Sequence, residues 1–433
     1  MTSTSGWQNL LAWSGSTGQG REARTLRFST ILKRYEQEFG NLPLIVKIAG
    51  TSGKGSTGAM LEAALAADGK KTGFFTSPHL VHPTERIRVQ GIDATSQSLD
   101  HAAVEAASLL EDIVDTRGTS FRPSYFETLL VLALRAFAHA AVEIAIMEAG
   151  IGGYNDVISM LEGPLSAITA IGYDHMEILG NSLANIAADK AGIASSFSEL
   201  VLGPRIDPLA QKVIKNDAEK RGVRLRIASR QKIRSEPLGL TGHRIYLGAG
   251  IGEDCFVLPL AGDYQVDNLA VAVEMLQALW ERGAVSRMES LSGAAIIRWP
   301  ARLEYLPGMP AWILDAAHNP LAFAELFKFV KQFPRKDLTL VFGATEKLKA
   351  VQGLGLLGPA FQQIILVDGF YRAVQIESAD SLELPPYTYV PTPEEVLRRV
   401  LSQYHGREHT IVVTGSIFLV GAVRQLLTER RTD

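Results

Sequence analysis

The apolar run Leu44–Ala49 leads directly into Gly50-Thr51-Ser52-Gly53-Lys54-Gly55-Ser56-Thr57, and an Ala- and Leu-rich helical pattern, Thr57–Ala67, follows. A strand, a glycine-rich loop and a helix in immediate succession constrain the fold more than any other feature. Glycines let backbone N–H groups wrap a phosphate, and the helix N-terminus adds positive potential at the same place. Lys54 is placed to neutralise outer phosphates, and Ser56 or Thr57 offers a hydroxyl beside a metal. The spacing departs from G-x-x-x-x-G-K-[ST], because Ile48 stands where the first glycine falls. A glycine-rich turn that holds no ligand is the alternative.

The rest of the chain extends the same pattern. Lys71–Phe75, Ala141–Met147 and Leu165–Ile171 read as strands, with helices over Tyr125–His139 and Leu183–Ile193. Continuous apolar runs between amphipathic helices predict buried parallel strands with helical crossovers. Lys232–Leu260 weakens into short strands, as in a small β excursion, and Gln265–Trp280 is helical. A second alternation begins near Ala311. Its strands are Trp312–Leu314, Leu338–Phe342, Gln363–Val367 and Thr410–Val413, and its helices are Leu321–Phe329, Pro393–Tyr404 and Phe418–Leu427. Between the two series lie Pro300, Pro307 and Pro310. The predicted organisation is therefore 1–298, a linker over 299–310, and 311–433; a length of 433 residues fits two or three domains.

Composition removes several function classes. Hydrophobic residues at 46% and charged residues at 21% describe a globular chain rather than a disordered one. With 43 Lys plus Arg against 46 Asp plus Glu, the formal charge is −3, which gives no bulk attraction to nucleic acid or an anionic membrane. Cys255 is the single cysteine, so neither an internal disulfide nor a cysteine metal cluster is expected, and a cytoplasmic setting fits. The stretch 1–20 is polar and lacks the apolar core of a signal peptide. Apolar runs such as Ala141–Met147 are too short to span a bilayer.

The remaining polar candidates cluster just after strands. Ser77 and His79 follow the second strand, Glu148 follows Ala145-Ile146-Met147, and Asp174 and His175 follow Ala170–Tyr173. In an open parallel sheet the strand C-termini share one edge, where ligands bind. A carboxylate, an imidazole and hydroxyls at that edge suit Mg²⁺ beside a nucleotide, with His175 an atypical ligand because Mg²⁺ prefers oxygen. Helix capping or core hydrogen bonding is the alternative for each taken singly. In the second series, Asp315-Ala316-Ala317-His318-Asn319-Pro320 follows a strand and opens a helix at a proline, and Gly415-Ser416 follows another. Arg86 and Arg88 suit an anionic ligand or a solvated surface equally.

Eight segments in order resemble the folylpolyglutamate synthase/dihydrofolate synthase family of the Mur ligase superfamily, over roughly residues 20–425. They are Gly50–Ser56, Ser77–Leu80 with Glu85–Ile87, Tyr125–Glu127, Glu148–Asp156, Gly172–His175 with Leu179-Gly180, Lys190–Ile193, Gly262–Asn268 and Asp315–Pro320. The resemblance implies an α/β fold: an N-terminal ATPase domain with a mostly parallel central sheet and P-loop, plus a smaller C-terminal Rossmann-like domain. It implies ATP-dependent ligation of L-glutamate to dihydropteroate or a folate through an acyl phosphate, in a cytoplasmic protein expected to be monomeric. It also places Gly53, Lys54, Gly55 and Ser56 on the triphosphate, Ser77, Glu148 and His175 on Mg²⁺, and Asn268, Arg302, Asp315 and His318 about ATP. Lys54, Lys190 and His175 become the catalytic candidates, with Lys190 carbamylated and supplying a possible second Mg²⁺ site.

The chain departs from the family pattern at named places. Gly152-Gly153 is followed by Tyr154-Asn155-Asp156-Val157-Ile158-Ser159 where Arg-Leu-Asp-Ala-Thr-Asn is usual. Ser52 replaces Asn, Ala316 replaces Gly, and Glu346-Lys347 stands for Lys-Asp. Loss of the arginine removes a rigid bidentate donor and points to altered handling of the acid or phosphate. Two further readings stand beside the first: a Mur-type ligase acting on another carboxylate, and an ATP-binding module with weak catalysis.

Overall fold

Buried apolar runs pair side by side to build a first sheet in the order β4-β3-β2-β5-β1-β6-β7-β8. Its strands are β1 (Leu44–Ala49), β2 (Thr72–Phe75), β3 (Ile87–Val89), β4 (Ile92–Asp93), β5 (Ile144–Glu148), β6 (Leu165–Ile168), β7 (Glu199–Leu202) and β8 (Arg224–Ile227). The computed structural model describes residues 5–15, 20–248, 255–376 and 383–432, so part of the polar stretch 1–20 lies outside the described residues. From β2 to β8 all pairings are parallel, and β3 and β4 add an antiparallel edge. Register is set by burial on both faces. Ile45 and Ala49 of β1 enter one core with Tyr125–His139, while Val46 and Ile48 enter the other with Lys54–Ala67 and Tyr264–Glu281.

The first face also carries polar cross-ties. Arg27 Nη2 lies 2.8 Å from Glu127 Oε2, and both side chains are buried. Lys47, wholly buried on β1, donates to Leu161 O at 2.8 Å and Ser195 Oγ at 2.9 Å. Burial lowers its pKa to about 8. The Lys47 bonds hold the strand that delivers the glycine-rich loop, and the Arg27–Glu127 pair joins two helices packed on that face.

A three-stranded antiparallel sheet, β9 (Ile233–Pro237), β10 (His243–Leu247) and β11 (Cys255–Leu258), forms the expected β excursion. The second large sheet runs β12-β13-β17-β14-β15-β16. It comprises β12 (Glu304–Leu306), β13 (Ala311–Leu314), β14 (Leu338–Phe342), β15 (Gln363–Val367), β16 (Tyr387–Val390) and β17 (Thr410–Thr414), parallel except for edge strand β12. Residues 304–306 lie within the stretch read as linker, yet they pair with β13; Pro300 and Pro307 flank the strand rather than interrupt it.

Several boundaries differ from the sequence reading for identifiable reasons. The helix after the loop starts at Lys54, before the apolar pattern begins, because Gly53 at φ 86° turns the chain directly into it. Strand β6 stops at Ile168, and 169–175 run into the cavity described below. Helices Arg21–Phe39, Ser96–Arg117, Pro208–Arg221 and Lys347–Leu357 went unread. Among the described residues, no helix is long and apolar enough to cross a membrane.

Candidate active site

The C-terminal ends of β1, β2, β5 and β6 face those of β13, β14 and β17 across a cavity of about 1060 Å³ lined by residues of both large sheets' units. At Gly50, φ is 150° and a side chain would collide with the Thr169 hydroxyl. At Gly53 it would collide with Asn268 Oδ1. The loop is thereby pressed against its supports, and Thr51 Oγ1 and Gly172 N are 3.0 Å apart in a hydrogen bond. Lys54 Nζ donates to Gly50 O at 3.0 Å and lies 4.0 Å from Glu148 Oε1. Ser56 Oγ is buried with no hydrogen-bond partner among the described residues. A buried hydroxyl left unpaired is costly, and here it opens on a loop shaped for phosphate.

Glu148 is the last residue of β5 rather than the first after it. Its Oε2 accepts from Thr76 Oγ1 and, at 3.4 Å, from Ser77 N. Burial raises its pKa, and Lys54 opposes that rise most strongly. His175 is held at φ 49°, and its Nε2 lies 3.9 Å from Asp174 Oδ1. Burial lowers the pKa of both His175 and His318, which favours neutral imidazoles. His318 Nδ1 bonds to Ala316 O at 2.8 Å. Lys190 is buried, lines the same cavity, and has its pKa lowered to about 7 by burial first and the Lys54 charge second.

Asn268, Arg302 and Asp315 also line the cavity. Asn268 Nδ2 donates to Gln265 Oε1 at 2.9 Å. Arg302 sits between two left-handed residues, Ala301 at φ 57° and Leu303 at φ 49°. Such backbone costs free energy and persists only when its surroundings hold it. Asp315 does the holding: Oδ2 accepts from Leu303 N at 2.9 Å and Tyr264 OH at 3.4 Å, and Oδ1 from Ala317 N at 3.0 Å. Its Oδ2 thus helps fix the Arg302 turn, while its Oδ1 holds the chain just after β13.

The donors suit Mg²⁺ with ATP. Among the described residues no three His, Cys, Asp or Glu side chains gather as a metal cluster. One carboxylate, Glu148, with Ser77, His175 and the unpaired Ser56 hydroxyl along one cavity is what a cation that keeps waters and phosphate oxygens requires.

Asp174, read from the sequence only as a strand-end candidate, also ties the two units together. Asp174 Oδ2 accepts from Asn319 Nδ2 at 2.9 Å, and Oδ1 accepts from Lys349 Nζ at 2.9 Å. Burial pushes the Asp174 carboxyl up, but His175, His318 and Lys349 together hold it well below the usual carboxylate range. Nothing local in the sequence marks Lys349, which meets Asp174 from 175 residues away. Lys349→Met removes this tie and leaves Asp174 with one partner fewer. The expected result is a rise of about fivefold in the KM for the acid substrate, a partly buried pair being worth on the order of 1 kcal/mol. Steady-state kinetics check it, and an unchanged KM would remove the tie from substrate binding.

Residues 48–276 match the Mur ligase middle domain, and residues 301–417 match the Mur ligase, glutamate ligase domain. These matches define the class as ATP-dependent ligases of the Mur type. The dihydrofolate synthase/folylpolyglutamate synthase of Bacillus subtilis is 30% identical over 395 residues, covering 88% of this chain and 89% of that protein. A probable bifunctional folylpolyglutamate synthase/dihydropteroate synthase of Haloferax volcanii is 33% identical over 309 residues, or 69% of this chain; the match spans only 35% of that longer protein. The solved Mycobacterium tuberculosis folylpolyglutamate synthase complexed with ADP superposes with a TM-score of 0.84 at 26% identity, covering 97% of each chain. The chain belongs to the folylpolyglutamate synthase/dihydrofolate synthase family of Mur ligases.

Proposed function

We propose that this chain joins L-glutamate to dihydropteroate or to a folate, using ATP. A carboxylate oxygen of the acid attacks the γ-phosphorus and ADP leaves. The glutamate amine then attacks the acyl carbon, phosphate leaves, and the amine gives up a proton. The observation that carries this reading is one cavity lined by the glycine-rich loop, Glu148, Lys190 and residues of the second sheet's unit. At about 1060 Å³ it has room for a nucleotide and an acid together. The relatives' names, and the ADP held by the tuberculosis enzyme, support both ligands.

In this reading Gly53, Lys54, Gly55 and Ser56 hold the triphosphate, while Asn268, Arg302 and His318 reach it from the other walls, with Asp315 fixing the Arg302 turn. Ser77, Glu148 and His175 would hold Mg²⁺, which screens phosphate charge when bound. Lys190 is carbamylated: its near-neutral amine attacks CO₂ and loses a proton, giving oxygen donors for a second Mg²⁺. Protein groups position the reactants and exclude water rather than enter covalent chemistry. The division into 1–298, a joining stretch over 299–310 and 311–433 is part of the proposal, as are a monomeric state and a cytoplasmic location. An exposed, unpaired Cys255 supports the last.

ADP release with dihydropteroate and tetrahydrofolate in parallel, with and without glutamate, tests the reading. Acid-dependent release that yields glutamylated product is expected. Release that responds only to another carboxylate would redirect the substrate, and ATP binding without turnover would leave a binding module.

A further inference from the structure

Arg21 and Arg24 open the helix Arg21–Phe39 and project into the cavity, three residues apart and so on neighbouring positions of one face. Arg21 stacks over the Tyr154 ring, and Arg24 donates to Asn155 O. Tyr154, one of the positions at which the sequence departs from its family, thus anchors Arg21 through its ring, and the adjacent Asn155 anchors Arg24 through its backbone carbonyl. Neither arginine has a carboxylate within ion-pair distance among the described residues. The nearby acids are engaged elsewhere. Asp156 accepts from Gly150 N at 2.9 Å, Ile151 N at 3.1 Å and Ile158 N at 2.9 Å. Asp189 accepts from Gly153 N at 2.8 Å and from Asn155 Nδ2. Arg21 Nη1 is buried and has no acceptor among the described residues.

We infer that Arg21 and Arg24 form an anion subsite for a second carboxylate of the acid substrate, one other than the carboxylate that ATP activates. Two guanidiniums fixed by their neighbours, not neutralised and partly desolvated, match a carboxylate in charge and fork geometry. This rests on the ligase reading and sharpens it: the preferred acid is a di- or polycarboxylate of the folylglutamate type. Dihydropteroate carries a single carboxylate, which the reaction consumes. L-glutamate is the other source of the same chemistry.

The test compares the enzyme with Arg21→Gln/Arg24→Gln and with Arg21→Lys/Arg24→Lys, each checked by thermal melting. Steady-state kinetics are run on tetrahydrofolate and dihydropteroate, and equilibrium binding of each acid is measured without ATP. The ratio of kcat/KM for tetrahydrofolate over dihydropteroate is expected to fall on the order of 30-fold in the Gln variant. Tetrahydrofolate binding should weaken in step, the Lys variant should recover part of the loss, and the KM for glutamate should stay put. Equal losses on both acids, no loss, or a selective rise in the glutamate KM would overturn the subsite. So would an unsubstituted enzyme that accepts dihydropteroate alone. Turnover of neither acid would instead overturn the folate reading, and the subsite with it.

Discussion

Replacing Lys54 by alanine is expected to lower turnover on the order of a hundredfold while leaving the melting temperature nearly unchanged. The side chain packs in no core; it arches over the loop to Gly50 O at 3.0 Å and stands 4.0 Å from Glu148 Oε1. Alanine is a better helix former than lysine at the first position of Lys54–Ala67, so the helix survives. What is lost is a fixed positive charge where negative charge moves during phosphoryl transfer. Removing one such preorganised contact costs on the order of 3 kcal/mol, or a hundredfold. A second signature follows from Glu148. Burial already raises its pKa, and Lys54 is the strongest opposing charge. Without Lys54 the carboxyl rises further, so any residual activity that needs it ionised is lost at a higher pH than in the unsubstituted enzyme. A pH–rate profile reads this shift separately from the drop in turnover. Unaltered turnover in a folded Lys54→Ala enzyme would take the residue out of the mechanism.

The fold was legible where physics leaves one solution. Leu338–Phe342 and Gln363–Val367 are strands at the boundaries read from sequence, because a strand buried on both faces is a mostly apolar run, interrupted here only by Thr339 and the leading Gln363. Tyr125–His139 was equally plain: Ser124 caps it by accepting from Glu127 N. Arg21–Phe39 was missed because its buried stripe is only Arg27, Phe28, Ile31 and Tyr35, and one of those is charged. Strand β12 was hidden by the prolines around it. In the site, strand-end reasoning named Ser77, His79, Glu148, Asp174 and His175; all but His79 line the cavity, and His79 Nδ1 instead accepts from Arg86 Nε at 2.9 Å. It could not find Lys349, Arg21 or Arg24. These act across long sequence separations, and their residue types are common on solvated helix faces. Only the fold shows that these three face a cavity.

Lys190 carries the other large expected effect. At the C-terminal end of Leu183–Ala191 a surface lysine would be unremarkable, since positive charge is favoured there. The structure excludes a surface location, because Lys190 is 4% exposed and lines the cavity. Burial, with Lys54 as the next cause, brings its pKa to about 7, so near neutral pH much of it is the uncharged amine that CO₂ requires. A carbamate would reverse its charge beside Lys54 and add oxygen donors to the cavity wall. Lys190→Ala is therefore expected to lose tenfold to on the order of a hundredfold in turnover, the scale for removing a group that supports a metal site. Acetate or propionate should restore part of it by refilling the space with a carboxylate. The unmodified enzyme, freed of CO₂, has its own signature. The unfolded chain keeps the Lys190 proton up to about 10.5, whereas the folded chain releases it near 7. Between those values the unfolded state binds more protons, so stability relative to Lys190→Met climbs as pH rises through that window. Adding bicarbonate should suppress the climb and add the mass of one CO₂ to the native protein. Full activity in Lys190→Ala at saturating ATP and Mg²⁺ would sink the carbamate, even if the pH-dependent stability were found.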